Sequence, residues 1–378
     1  MAANESFDLE QLDDLYDPDP ERVDQARQRQ AAVWAGCRPD RWPIIMHAPL
    51  TAAQESIPRP DLKQAFEDPH AMLFSQVRSA CAVANAAADG VPSIRGNYGV
   101  GVLMACLGLN QQVFADRMPW PQEHLTRNQI ARLEPDDIRI QGTFARGLGF
   151  MRLARQVMRD RLAVYCMDTQ GPLDLAHLLA GDDFFLLMHD DPSLTHHLLE
   201  ISLELGIRAH EWMKEVNGEP AGEHHHGNAI YARNMGIRIC EDTTAIISPA
   251  AIDAFAMPYT TRLAEHFGGA WVHYCGRNDY LSQVACGIEA VHGLNFGHIP
   301  GHEHDHPFEK DMERCEASGT VYYGPWPRRD GESGREYLDR MHAWARRGCL
   351  IPVGDAAVGP HGFADAATAL DYWYGLPG

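Results

Sequence analysis

The sequence predicts an α/β fold, a (β/α)8 TIM barrel carrying an N-terminal helical extension. Three observations lead there. From about residue 160 onward, short apolar runs alternate with amphipathic stretches, the pattern of parallel strands joined by crossover helices. About eight such units spread over roughly 340 residues, which favours a barrel over a doubly wound sheet. A nucleotide-binding turn is missing: GNYGVGVLM places glycines at 96, 99 and 101 without the G-x-G-x-x-G spacing, and no P-loop occurs.

The elements follow in order. RWPIIMHAP (41–49) and VPSIRGNYG (91–99) are candidate first strands, and RLAVYCMD (161–168) reads as another. Residues 183–213 have helical periodicity, broken by the turn Asp190-Asp191-Pro192. GIRICED (236–242) is strand-like. Ser248-Pro249 then opens a helix with a capping hydroxyl and a proline at its first position. That helix keeps Ile252, Phe255, Tyr259 and Leu263 on one face and stops at Gly268. AWVHYCG is a strand, 278–288 a helix, LNFGHI (294–299) a strand and 307–317 a helix. TVYYGPW (320–326), a helix over 334–347, the strand CLIPVGD (349–355) and a final helix complete the chain.

Composition narrows the function. With 45% apolar and 22% charged residues the 378-residue chain is globular in type. Its net charge of −20 excludes a nucleic-acid surface, which needs a basic patch to meet phosphates. Residues 1–24 carry nine acidic side chains and one basic one, Arg22, so residues 1–30 are expected to be a solvated acidic arm before a single domain over 31–378. No apolar run of membrane-spanning length and no secretory signal are found, and nine cysteines are too few and odd in number for a disulfide framework. A cytoplasmic chain with reduced thiols, which can serve as ligands, is expected.

The chemistry-bearing residues are ranked by their place on the strands, because a parallel barrel puts its active site at the strands' C-terminal ends. His273 and Cys275 close AWVHYCG, and the period of two turns both to one side. Imidazole and thiolate together suit zinc; the other reading is a buried histidine beside an inert thiol. For a third ligand, Cys349 begins its strand and Asp355 ends it, roughly 20 Å apart at about 3.3 Å per residue. Only Asp355 shares the face of His273 and Cys275. Glu241 and Asp242 end another strand, where they can bind substrate, move a proton or cap the next segment. Asp168 and Arg95 are substrate contacts or rim hydrogen bonds. HEHDH (302–306) is no zinc-protease helix, since Pro307 turns His306 out of helical geometry. His302, His304 and His306 remain loop histidines that could touch substrate or metal. His224-His225-His226 reads as a loop or strand start, and Cys166 and Cys240 as core.

Three segments carry a resemblance: DTQGPLDLAHLLAGDDFFLLMHDDPSLTHHLLE, ICEDTTAIISPAAIDAFAMPYTTRLAEHFGGAWVHYCG and LIPVGDAAVGPHGFADAATAL. They resemble the uroporphyrinogen decarboxylase superfamily over roughly residues 30–375, which implies the (β/α)8 barrel. The H-x-C at 273 and 275 is similar to the first two zinc ligands of the methylcobamide:thiol methyltransferases in that superfamily. Their third ligand is a cysteine near the C-terminus, and the matching position here is Asp355. That departure implies a different ligand set and acceptor. The superfamily's decarboxylases carry an arginine-rich R-x-x-G-R-Y stretch that this chain lacks. The resemblance therefore implies zinc-dependent methyl transfer to or from a corrinoid, borne by a partner protein, with a small-molecule methyl donor or acceptor and a possible homodimer. Within it, Glu241 or Asp242 would orient substrate or move a proton. The alternatives are a metal-free decarboxylase or lyase acting on a small carboxylated substrate, with Arg95 handling it, and a non-catalytic ligand-binding barrel.

Overall fold

A computed structural model describes residues 7–227, 229–297 and 306–377. Eleven strands lie among them. They are β1 (Ser93–Ile94), β2 (Gln111–Gln112), β3 (Trp120–Pro121), β4 (Ala163–Val164), β5 (Glu223–His226) and β6 (Ile230–Arg233). The remainder are β7 (Ile237–Cys240), β8 (Ala270–Cys275), β9 (Val291–Gly297), β10 (Val321–Pro325) and β11 (Leu350–Val353). The last five form one parallel sheet in the order β11-β10-β9-β8-β7, buried along almost its whole length. A helix follows each of β7 to β10, as parallel neighbours require. The architecture is mixed α/β.

Single backbone contacts carry the parallel order beyond this sheet. Ile45 donates its N–H to Pro352 at 2.9 Å, and Gly354 donates to Ile45 at 2.8 Å. At the other edge Gly171 donates to the Cys240 carbonyl at 2.7 Å, while β4 pairs in parallel with β1. The segment around Ile45, expected as a full strand, contributes one bridge to Val353. Pro43 has no N–H to give a ladder.

Local sequence explains the helices that hold the sheet. Asp191 caps the helix Pro192–Asn217 by accepting the Leu194 N–H at 3.0 Å, and Gly218 ends it at a φ of 73°. Ser248 accepts the Ala251 N–H, and Ile252, Phe255, Tyr259 and Leu263 are buried along one face. Inside this helix the turn Ile252–Ala256 widens to π geometry, with the Met257 N–H reaching back to Ile252. Pro258, one residue on, has no N–H and would crowd a carbonyl four residues back, so the wider turn relieves it.

The acidic N-terminal segment departs from a solvated arm. Its described part forms helices Gln11–Leu15 and Pro20–Trp34, and Leu12, Tyr16 and Ala26 are wholly or almost wholly buried. Most of its carboxylates stay exposed. Charge counting misses this because a few apolar side chains at helical spacing are enough to dock a segment. No helix among the described residues is long and apolar enough to cross a membrane.

Candidate metal centre

The register of β7 on β8 assembles the site. Cys240 pairs opposite His273. Since side chains alternate along a strand, Cys240 and Asp242 share one face, and it is the face that carries His273 and Cys275. Cys240 Sγ, a carboxylate oxygen of Asp242 and a ring nitrogen of His273 all lie within 4.8 Å of one another. Cys275 Sγ is 3.5 Å from His273 Nε2. Cys240 is buried and Cys275 exposed, so the group opens outward at Cys275.

The next strand orients the imidazole. Asn295 on β9 pairs opposite His273, and its Oδ1 lies 2.5 Å from His273 Nδ1. The Asn295 amide nitrogen donates to the Tyr323 carbonyl, which turns its oxygen toward the histidine. Nδ1 must therefore carry the proton, leaving the Nε2 lone pair free on the cysteine side. Gly324 makes room, because a Cβ there would strike the Asn295 amide. Asn295→Ala is expected to weaken any divalent-metal affinity of the group about 10–100-fold while leaving the fold intact. A chelator competition followed alongside circular dichroism checks this; unchanged affinity would show that Asn295 does not hold the ring.

Charge around the group favours a cation. Asp242 accepts the Cys275 N–H at 2.6 Å, and Asp174 accepts the N–H groups of Asp242 and Thr243 at 2.8 and 2.7 Å. Burial and the Asp242 charge push the Asp174 carboxyl up to about 7 and the Cys275 thiol up to about 12. Burial raises the Cys240 thiol well above its usual value, with Arg238 opposing and Asp242 reinforcing the shift. His273 falls to about 4 through burial and the nearby Arg238 charge, against the pull of Asp242. Thiols and a neutral imidazole crowded on a carboxylate are a donor set that a divalent ion would convert to its charged form.

A second polar group lies one layer deeper. Arg95 Nη2 donates to Asp168 Oδ2 at 3.2 Å, and Arg238 Nη1 donates to Asp168 Oδ1 at 3.3 Å. Burial works against the Asp168 carboxylate, yet Arg95 and Arg238 outweigh it and hold it below its usual range. Beside Asp242, on the outer side, opens a cavity of about 530 Å³ bordered by Trp120, Gln170, Asp174, His177 and Ile246.

The other sequence candidates are distributed differently. Asp355 stands in the turn after β11, where it accepts the His47 N–H at 2.8 Å and contacts His47 Nδ1 at 2.6 Å. It is outside the cluster of Cys240, Asp242 and His273. Glu241 turns to the helix side of β7, fully buried, accepting from Thr260 at 2.7 Å. His302 and His304 lie outside the described residues. His306 is buried and stacked on Phe296 with ring centroids 4.3 Å apart. His224, His225 and His226 lie on β5; His225 contacts Glu219 at 2.9 Å and His226 packs edge-on to Trp271. Cys240, Asn295 and Arg238 were not singled out by sequence as functional. The signal was available for one of them: Cys240-x-Asp242 repeats the spacing of His273-x-Cys275 on the preceding strand.

No protein-family model matches the chain, and no curated protein matches it. A solved structure does: a methyltransferase from Methanosarcina mazei superposes with a TM-score of 0.64 over 92% of this chain and 99% of that one, at 17% identity. At that identity the likeness shows that the two chains share a fold.

Proposed function

We propose that this chain is a zinc-dependent methyltransferase of the uroporphyrinogen decarboxylase-like class, moving a methyl group between a corrinoid and a small thiol or related acceptor. The observation that carries the reading is the convergence of Cys240, Asp242 and His273 beside Cys275. Fold likeness to a methyltransferase supports it. The backbone contacts of Ile45 with β11 and of Gly171 with β7 support an eight-stranded barrel, with the five-stranded sheet as its larger arc and 31–378 as one domain. In such a barrel the group stands at the catalytic ends of its strands.

The donor set fits zinc, which takes thiolate, imidazole and carboxylate together. His273, Cys240 and Asp242 would hold it, with Cys275 on the open side. Bound zinc would supply Lewis acidity that makes an acceptor thiol a thiolate at neutral pH. Asn295 keeps the imidazole aimed, and Asp174 fixes the turn that presents Asp242. Exposed Trp120 and Ile246 border the outer cavity and offer apolar surface to a methyl carrier arriving on a cytoplasmic partner protein.

Zinc-loaded protein mixed with methylcobalamin and a series of thiol and folate acceptors is expected to demethylate the corrinoid, followed by its absorbance change, and His273→Ala is expected not to. Absence of demethylation with every thiol and folate acceptor would contradict methyl transfer.

A further inference from the structure

The end of the sheet opposite the metal group gathers positive charge, in a chain whose net charge is −20. All five strands of the sheet run parallel. Residues 346–348, just before β11, therefore lie at the end away from Cys240 and Cys275. Three adjoining depressions of about 280, 240 and 220 Å³ open there and share Arg38 on their borders. Five arginines line them, Arg29, Arg38, Arg41, Arg346 and Arg347, against one carboxylate, Asp40.

Three of the five are spent within the protein. Arg29 takes both oxygens of Asp40 at 2.8 Å and donates to Asp89 at 2.9 Å. Arg41 donates to Asp89 at 3.3 Å and lies over the Tyr374 ring, and Arg347 donates to Glu316 at 3.0 Å and lies over Trp344. Asp40, Asp89 and Glu316 thus answer three arginines. Arg38 and Arg346 are left: both are exposed, and neither side chain has a hydrogen bond or ion pair among the described residues. Each follows a helix end, where arginines often meet bare carbonyls, but the backbone has already taken up those last turns. Ala35, Gly36 and Cys37 donate to the carbonyls of Ala31, Val33 and Ala32, and Arg346, Arg347 and Gly348 to those of His342, Trp344 and Ala345. Two turns with glycine at positive φ, 65° at Gly36 and 77° at Gly348, bring the spare arginines to the border of one depression. Pro39 and the grip of Arg29 on Asp40 hold the first of these segments in place.

We propose that Arg38 and Arg346 form a binding site for a phosphate group, carried by a small monoester or as the free ion. Two guanidinium forks arriving from separate segments suit an anion with two charges and three outward oxygens. A carboxylate offers one charge and two oxygens, which a single fork fills. The depression that both arginines border, about 280 Å³, takes one or two phosphate groups. It is no track for a nucleic-acid strand, which needs a run of such contacts.

Calorimetric titration of the full-length protein at constant ionic strength tests this with inorganic phosphate, glycerol 3-phosphate and acetate. At least one phosphate probe is expected to bind about tenfold or more tightly than acetate. Arg38→Gln and Arg346→Gln are each expected to weaken that binding about tenfold or more, with circular dichroism unchanged because both side chains are exposed and unpaired. Arg38→Lys keeps the charge but loses the fork, and is expected to lose several-fold. Arg152→Gln, at an exposed position on the helix Gly142–Met158 outside the three depressions, removes the same charge and is expected to leave affinity within about twofold. Tighter binding of the ester than of the free ion would mark an organic phosphate as the occupant, and the reverse order free phosphate; either supports the site. Acetate bound as well as both phosphates, no phosphate binding by the wild type, or an equal loss in Arg152→Gln would each overturn it.

Discussion

Cys240→Ser is expected to weaken zinc binding by more than about 100-fold, and His273→Ala to abolish stoichiometric zinc, with loss of any metal-dependent activity. Losing the hydrogen bond that aims a metal ligand costs about 10–100-fold in affinity, so losing the ligand itself costs more. Cys240 is the informative position. It is buried opposite His273, and burial holds its thiol protonated at neutral pH unless a cation lies beside it. Asp355→Ala separates the two ligand sets. Asp355 is held by His47 in the turn after β11, so zinc content is expected to survive its removal. Elemental analysis after dialysis reads all three variants, and zinc lost from Asp355→Ala but kept by Cys240→Ser would restore the ligand set built on His273, Cys275 and Asp355.

Glu241→Gln is expected to stabilise the protein at alkaline pH. Glu241 is fully buried; one oxygen accepts from Thr260 and the other has no partner among the described residues. Burial, reinforced by the Asp174 charge, raises its carboxyl well above the usual value. The folded protein then holds a proton that the unfolded chain releases above about pH 4.5, so stability falls as pH rises from there toward the folded value. An amide keeps the neutral shape and removes the titration. The variant should match wild type near pH 4.5 and exceed it by more than about 1 kcal/mol at pH 8. Urea unfolding at both pH values checks this. A variant less stable at pH 8 than at pH 4.5, relative to wild type, would show that Glu241 is folded as a carboxylate. Asp174, raised to about 7, adds a drop in the same direction between about pH 4 and 7.

Much of the scaffold was legible because periodicity and end signals agree on it. Asp191-Pro192, Ser248-Pro249 and the apolar face from Ile252 to Leu263 each announced an element that forms where expected. The π turn before Pro258 was not, since it answers a steric conflict that periodicity averages away. The site was half legible. His273-x-Cys275 announces itself along one strand, whereas Cys240 becomes a neighbour only through the register that sets it opposite His273. A sequence read along the chain places Cys240 in the core, which is also true: it is 2% exposed. Asn295 and Arg238 were hidden for the same reason, being ordinary residues until the strands beside them are known. Asp355 was favoured because strand ends share a face, an argument that fixes height along parallel strands and not which neighbours a side chain meets; in the structure Asp355 stands in the turn after β11 against His47.

Zinc-edge X-ray absorption on the zinc-loaded wild type tests the central claim most directly, because it reads the donors themselves. The convergence of Cys240, Asp242 and His273 predicts sulfur at about 2.3 Å together with nitrogen and oxygen at about 2.0–2.2 Å, the sulfur contribution shrinking in Cys240→Ser. A shell of oxygen and nitrogen alone, or a sulfur shell unchanged in Cys240→Ser, would contradict it.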